Sequence, residues 1–345
     1  MYGSICDNVM DKIDIYDVIE SKIVGYGEIV VCLFEHCNLR CVFCPQDHNS
    51  VLGASREEIM AKVKPIRNWI DNNPRKQSYK IHLMGGELFQ DEWIDKDFLS
   101  IYDDFINAIK QSDENIHINF ITNLVFTESS KVLQFLDKNN LTVSISYDPS
   151  GRFKPKDLEI FERNIVRFQD HIEMVSLVLT RQNINKIIQG DQLFELLYKN
   201  YPCDFDQFLP SVAPSRVLMP SEREMYEFYK VLVKDYPKCI NVDHFVNDKP
   251  TNKMTCTRGN SLTVMPDGDK PQGCSGAVFL KDAQTENLGG PAIVENFFEK
   301  YNCFECEYFQ RCPFSCFIKQ DYKHIEQNMD ECVFKATFRY ADSIR

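Results

Sequence analysis

Cys37, Cys41 and Cys44 stand in the spacing C-x3-C-x2-C, inside the run Phe34-Glu35-His36-Cys37-Asn38-Leu39-Arg40-Cys41-Val42-Phe43-Cys44. Three thiolates on one short loop can hold three corners of a cubane iron–sulfur cluster. The fourth iron is then left without a protein ligand. A cluster held by four cysteines mainly carries electrons. A cluster with an open iron can bind a small molecule directly, as a catalytic metal site does through its open position. The same spacing would also suit a zinc knuckle or three buried thiols.

A second group lies near the end of the chain. Cys303, Cys306, Cys312 and Cys316 follow C-x2-C-x5-C-x3-C, written CFECEYFQRCPFSC, and Cys332 comes later. Upstream, Cys256 and Cys274 flank the segment SLTVMPDGDKPQG. Zinc sites or disulfides are the other uses such cysteines could have. Fourteen cysteines in 345 residues is a high count. The chain is too long to need covalent staples for its core. The start, MYGSICDNVMDKIDIYD, lacks a basic stretch followed by an apolar one, so it does not read as a secretory signal. No segment reaches the roughly 18 apolar residues of a membrane span. A cytoplasmic, reducing setting is the expectation, and clustered cysteines there point to metal. Cys6, Cys32, Cys203 and Cys239 stay outside these motifs. Cys32 sits in an apolar strand pattern and reads as a small buried hydrophobe. A net charge of −12 argues against a nucleic-acid partner, which needs a concentrated basic surface. The short basic run from Lys62 to Lys76 reads as an amphipathic helix with a solvated face. Peptide or small-molecule substrates fit the charge better.

The elements that must position these residues alternate. Apolar, β-branched runs occur at Gly27–Phe34, Tyr79–Met84, Ile116–Thr122, Leu141–Tyr147, Ile172–Thr180 and Asp204–Leu209. Helical periodicity lies between them, at Arg56–Asn72, Asp97–Gln111, Ser129–Lys138, Asp157–Phe168 and Asp191–Tyr201. This alternation predicts βαβ units and a parallel sheet. In βα barrels the chemistry gathers at the C-terminal ends of the strands. The first cysteine loop directly follows the first predicted strand, at that end. The expected division is an N-terminal extension over 1–26, a barrel over 27–235, a linker over 236–255 and a cysteine-rich domain over 256–345.

Taken together, these residues resemble the radical S-adenosylmethionine (radical SAM) superfamily, with a C-terminal SPASM extension, over roughly Gly27 to Phe334. The loop spacing, with Phe43 just before its third cysteine, is similar to the superfamily signature. The seven later cysteines are similar to the SPASM pattern. One departure is that five residues separate Gly268 from Cys274, where the family usually has four. The resemblance implies a partial (β/α)6 TIM-like barrel in the α/β class. It also implies S-adenosylmethionine (SAM) as cosubstrate, a SAM-binding 4Fe-4S cluster on Cys37, Cys41 and Cys44, and two auxiliary clusters. SAM would chelate the open iron, and reductive cleavage would give methionine and a 5′-deoxyadenosyl radical that abstracts hydrogen from the substrate. As with other cofactors, the protein supplies position and a dry site.

The remaining site residues follow from the same resemblance. Met84-Gly85-Gly86-Glu87 ends the second strand, where the family's GGE element receives the methionyl ammonium through backbone carbonyls. Thr122-Asn123 ends the third strand. Ser146-Tyr147-Asp148 is similar to the S-x-D ending near the ribose. Arg152 follows, where a guanidinium would pair with the methionyl carboxylate; a surface loop residue is the plain alternative. Leu179-Thr180-Arg181-Gln182-Asn183 ends the fifth strand, and Leu209 would pack on adenine after the sixth. Cys256, Cys274 and Cys316 would serve the first auxiliary cluster. Cys303, Cys306, Cys312 and Cys332 would serve the second. Leu262 stands where some relatives supply a fourth ligand to the first cluster, which leaves Cys239, Cys203, a non-cysteine group or an open site.

Substrate class is read from smaller signs. Ser275 follows Cys274, where sulfatase-maturing members carry a basic aspartate, so that activity is disfavoured. Only 26 residues precede the first strand, too few for a peptide-recognition domain with its own core. The expected activity is hydrogen abstraction from a ribosomal peptide or protein side chain, leading to oxidation or cross-linking. An external donor of flavodoxin or ferredoxin type would supply the electron, and a separate recognition protein could present the peptide. A small-molecule dehydrogenase or epimerase is the alternative enzyme. An iron–sulfur electron carrier or a zinc-binding module is the non-catalytic one. The sequence assigns no general base.

Overall fold

The computed structural model describes residues 26–73, 78–111, 115–206, 215–247, 261–270, 301–312 and 328–345. Six strands form in the predicted places: β1 (Tyr26–Cys32), β2 (Ser78–Met84), β3 (Ile116–Thr122), β4 (Thr142–Ser146), β5 (Ile172–Val178) and β6 (Cys203–Asp206). Each pairs in parallel with its neighbour in sequence, and the sheet curls into a half-barrel.

The intervening helices are α1 (Arg56–Ala61), α2 (Val63–Asp71), α3 (Asp91–Asp95), α4 (Phe98–Lys110), α5 (Ser129–Asn139), α6 (Pro155–Arg167), α7 (Arg181–Ile188) and α8 (Gln192–Asn200). The single helix predicted over Arg56–Asn72 breaks at Lys62. Pro65 explains this: it lacks an N–H, and its ring crowds the carbonyl four residues back, at Ala61, the last residue of α1. Lys62 is also buried rather than solvated. After β6 come α9 (Glu222–Asp235) and, at the end of the chain, α10 (Val333–Ile344).

Two strands from the cysteine-rich segment join the main sheet. β7 (Ser261–Met265) lies parallel to β1 on its outer side, and β8 (Gly268–Lys270) turns back antiparallel to β7. The barrel sheet therefore continues into the stretch that the sequence reading assigned to 256–345. The extended backbone at Leu262 also explains that residue: it is a buried β7 side chain opposite Ile29.

Strand periodicity separates two faces. Ile29, Val31, Ile81, Leu83, Ile118, Phe120, Val143 and Ile145 are buried on the helix side. The alternate residues line the lumen. One rung across the sheet reads Val30, His82, Asn119 and Thr142. A register shift after Val143 frees Glu173 from regular pairing. Its Oε2 accepts from Thr142 Oγ1 at 2.6 Å and Asn119 Nδ2 at 3.2 Å, and lies 3.0 Å from His117 Nε2. The hydrogen bond from His117 leads the effects that hold the Glu173 carboxyl down at about 2. This polar layer lies toward the N-terminal ends of the strands, away from the cysteine loop.

The segment around Cys303 is docked by aromatic packing. Tyr308 stacks on Phe338 of α10 with centroids 4.7 Å apart, and Phe338 meets Phe245 at 4.6 Å. Tyr301 Oη donates to Glu222 Oε1 at 3.1 Å, and Arg223 N donates to Asn328 Oδ1 at 2.9 Å, so both tie this region to the start of α9.

Candidate active site at the mouth of the half-barrel

The cysteine loop leaves the C-terminal end of β1 and is held first by the turn after β2. Gly86 N donates to Phe34 O at 2.9 Å, and Glu87 N donates to His36 O at 3.0 Å. A Cβ on Gly86 would collide with the carbonyls of Glu35 and His36, and one on Gly85 would lie 2.7 Å from Phe34 O. The two glycines were read as allowing a ligand to come close. What comes close in the structure is the backbone of the cysteine loop itself.

Glu87 is fully buried, and its carboxylate serves the protein. Oε1 accepts from Phe89 N and from Thr122 Oγ1, each at 2.9 Å, while Oε2 accepts from Asn123 N at 2.6 Å. Its backbone carbonyl receives Gln90 Nε2 at 3.0 Å. Its side chain is thus occupied within the protein, whereas the expectation for this element concerned backbone carbonyls. Burial pushes its carboxyl up to about 7. Asn123 continues the network: Nδ2 donates to Asn38 Oδ1 at 2.8 Å and lies 3.8 Å from Cys37 Sγ, while Oδ1 accepts from Val125 N at 2.8 Å. The next residue, Leu124, is buried at φ 59°, a conformation that is costly for a bulky side chain. Asn164 of α6 holds it there by donating to Leu124 O and Phe126 O at 3.0 and 2.8 Å. The cysteine loop, the glycine turn and the end of β3 therefore form one hydrogen-bonded body.

The loop brings Cys37, Cys41 and Cys44 within electrostatic range of one another. Burial pushes Cys37 up to about 12, with Glu87 adding to it, and pushes Cys44 up to about 11. Cys41 is also raised by burial, against the opposing pull of Arg152. Thiols held this way resist ionisation until a cation replaces their protons. Leu39 N points at Cys37 Sγ at 3.4 Å, a donor that suits a thiolate. Among the described residues, no three His, Cys, Asp or Glu side chains are placed to hold a single metal ion. A cubane puts each thiolate on a different iron, so it needs its sulfurs further apart than one ion does.

Arg152 stands on the other side of the loop. Val42 N donates to Gly151 O at 3.1 Å, and Gly151 takes φ 81°. The guanidinium of Arg152 lies 5.3 Å from the ring centre of Phe43. Burial pulls its pKa down, but the charges of Asp148, Cys41 and Cys44 outweigh this and raise it. Nε donates to Asp148 Oδ2 at 2.7 Å. Among the described residues, neither Nη group donates to a protein acceptor. Ser146 is half-buried at the end of β4. Asn183, which the sequence reading quoted but gave no role, donates to Asp148 Oδ1 at 2.6 Å.

Of the later cysteines, Cys303, Cys306 and Cys332 lie within electrostatic range of each other. Cys312 follows by consecutive turns, with Phe309 N bonded to Cys306 O and Cys312 N to Phe309 O. Cys256, Cys274, Cys316 and Leu209 lie outside the described residues. Cys239 is buried with Cys203 at the start of β6. That is the opposite end of the strands from the first cysteine loop, in an apolar setting. Burial there suits a core residue better than a cluster ligand. Cys32 is fully buried, as its strand pattern predicted.

No family model matches the chain, and no curated protein does. Solved structures do. Native anSMEcpe with bound AdoMet superposes at a TM-score of 0.64 with 15% identity, over 92% of this chain and 97% of that one. The same protein with bound AdoMet and Cp18Cys peptide gives 0.63 and 16%, over 93% and 100%. SuiB of Streptococcus suis bound to precursor peptide SuiA gives 0.50 and 13%, over 92% and 78%. At these identities the likeness establishes the fold.

Proposed function

We propose that this chain, whose fold is that of the radical SAM enzymes with a SPASM-type C-terminal region, modifies a peptide by hydrogen abstraction. The observation that carries the reading is the gathering of Cys37, Cys41 and Cys44 at the C-terminal mouth of the half-barrel, beside Arg152. Bound there, a reduced cluster and SAM would supply a carbon radical able to take a hydrogen atom. The residues of the chain supply the rest. The three thiols hold the cluster, and the buried Glu87–Asn123 network fixes the loop that carries them. The open Nη groups of Arg152 would donate to a carboxylate in two-point contact. The carbonyls of Gly85 and Gly86 would receive the ammonium, and Ser146 and Leu209 would serve the nucleoside.

Two of the similar structures hold peptides, which favours a peptide as substrate. Oxidation or cross-linking is the proposed outcome. An external donor of flavodoxin or ferredoxin type supplies electrons, and a separate protein presents the peptide, in the cytoplasm. Cys256, Cys274 and Cys316 hold one auxiliary cluster. Cys303, Cys306, Cys312 and Cys332 hold the other. The divisions at 26, 235 and 255 separate the extension, the six-stranded barrel, the linker and the auxiliary-cluster region, and β7 and β8 of that last region extend the barrel sheet.

The test is anaerobic. Reconstituted protein with SAM and a strong reductant should yield 5′-deoxyadenosine and methionine. Changing Cys37, Cys41 and Cys44 together to Ala should abolish this while the later cysteines keep their iron. Unchanged 5′-deoxyadenosine formation in the triple variant would sink the assignment.

A further inference from the structure

We infer that Asp148 is a positioning residue: with Asn183 it turns Arg152 so that the two Nη groups are free for an incoming carboxylate. This rests on the radical SAM reading above but assigns something different from the S-x-D resemblance, which set Asp148 beside the ribose.

Asp148 is buried, and its acceptor capacity is used inside the protein. Oδ1 accepts from Val178 N at 2.8 Å and from Asn183 Nδ2 at 2.6 Å. Oδ2 accepts from Arg152 Nε at 2.7 Å. A buried carboxylate so occupied is poorly placed to receive ribose hydroxyls. The geometry of the pair is informative in itself. An arginine has five N–H donors in a planar fork. A carboxylate that takes the Nε–H leaves the Nη1/Nη2 edge intact for a second anion. Without Asp148 the guanidinium would keep, among the described residues, only the Phe43 face as an anchor, and its rotamers would spread.

Asn183 locks the arrangement from the first turn of α7. Its Nδ2 also donates to Val178 O at 2.8 Å, and its Oδ1 accepts from Ser150 N at 3.0 Å. Its own backbone N–H is held by Thr180 Oγ1, the cap of α7. Asn183 therefore joins the end of β5, the start of α7 and the loop carrying Arg152. The bond from Val42 N to Gly151 O then ties that loop to the cysteine loop. A carboxylate contact made before any chemistry is uniform binding, which sets KM rather than kcat.

The experiment uses the full chain, reconstituted anaerobically, and reads SAM binding by equilibrium dialysis alongside steady-state kinetics. Asp148→Asn should weaken SAM binding about tenfold, as loss of one hydrogen bond to a charged group would. KM should rise to match, with kcat changed less than about threefold. Asn183→Ala should act in the same direction, more weakly, and serves if Asp148→Asn does not retain its iron. Adding Asp148→Asn to Arg152→Ala should cost nothing further, because Asp148 acts only through Arg152. SAM binding as tight as wild type in both single variants would overturn the inference. So would further weakening in the Arg152→Ala background. Wild-type protein that binds no SAM would instead overturn the radical SAM reading itself.

Discussion

Glu87, in a turn read from the sequence as a cofactor-binding element, spends its side chain inside the protein. Its carboxylate gathers three donors from two strand ends and is sealed from water. Burial outweighs those donors, so its pKa rises from 4.5 to about 7. The folded chain then keeps a proton that the unfolded chain has released between those values. Unfolding releases that proton, so the stability this group contributes falls as pH rises through the window. His82 and His48, both lowered by burial, act in the opposite direction below their ordinary value. A comparison of variants removes them. The stability of the metal-free wild type minus that of Glu87→Gln, from urea melts, should fall between about pH 5.5 and 7.5. An equal difference at both pH values would show that Glu87 is ionised throughout.

At the scale of elements, the parallel sheet was legible because its first five strands carry β-branched or apolar runs, while β6, CDFD, was marked by its place after α8. The ends were less so. Val178 closes β5, not Thr180, because Thr180 caps α7 through Asn183 N. The capping box Ser221–Glu224 marks the start of α9, a signal present in the sequence but not used. β7 has five residues, all buried, and its side chains carry no alternation that would mark a half-exposed strand. The placement of Cys37, Cys41 and Cys44 followed from β1 alone. The Asp148–Asn183–Arg152 arrangement did not, since its members come from two strand ends that only the fold brings together. The glycine turn gives the prediction at this scale. Gly86→Ala should destabilise the chain by about 1–3 kcal/mol, because backbone, not a flexible side chain, stands where Cβ would go. It should also release the cysteine loop, so iron bound by Cys37, Cys41 and Cys44 should fall. Wild-type stability with full iron content would show that the turn and loop can separate at little cost.

At the scale of the molecule, the segment carrying Cys303, Cys306 and Cys312 depends on its contacts with α9 and α10. The segment 301–312 has short 3-10 turns and little helix or sheet of its own. Such a segment needs either metal or a neighbour to hold it. The neighbour is the surface built by α9 and α10, where Phe338 is fully buried between Tyr308 and Phe245. The first cysteine loop is held instead by β1, the glycine turn and the end of β3, and shares none of these contacts. The two regions should therefore fail separately. Three cubanes would give about twelve irons in fully reconstituted wild type. Phe338→Ala should cost about 3–5 kcal/mol by leaving a cavity under Tyr308. It should lower the iron by about four, the content of one cubane on Cys303, Cys306, Cys312 and Cys332. On the proposed function, cleavage of SAM in the absence of substrate should survive, because it would need only a cluster at the barrel mouth. Loss of that cleavage together with the iron would mean that the two regions fold as one unit, with the sheet connection through β7 carrying the damage from one to the other.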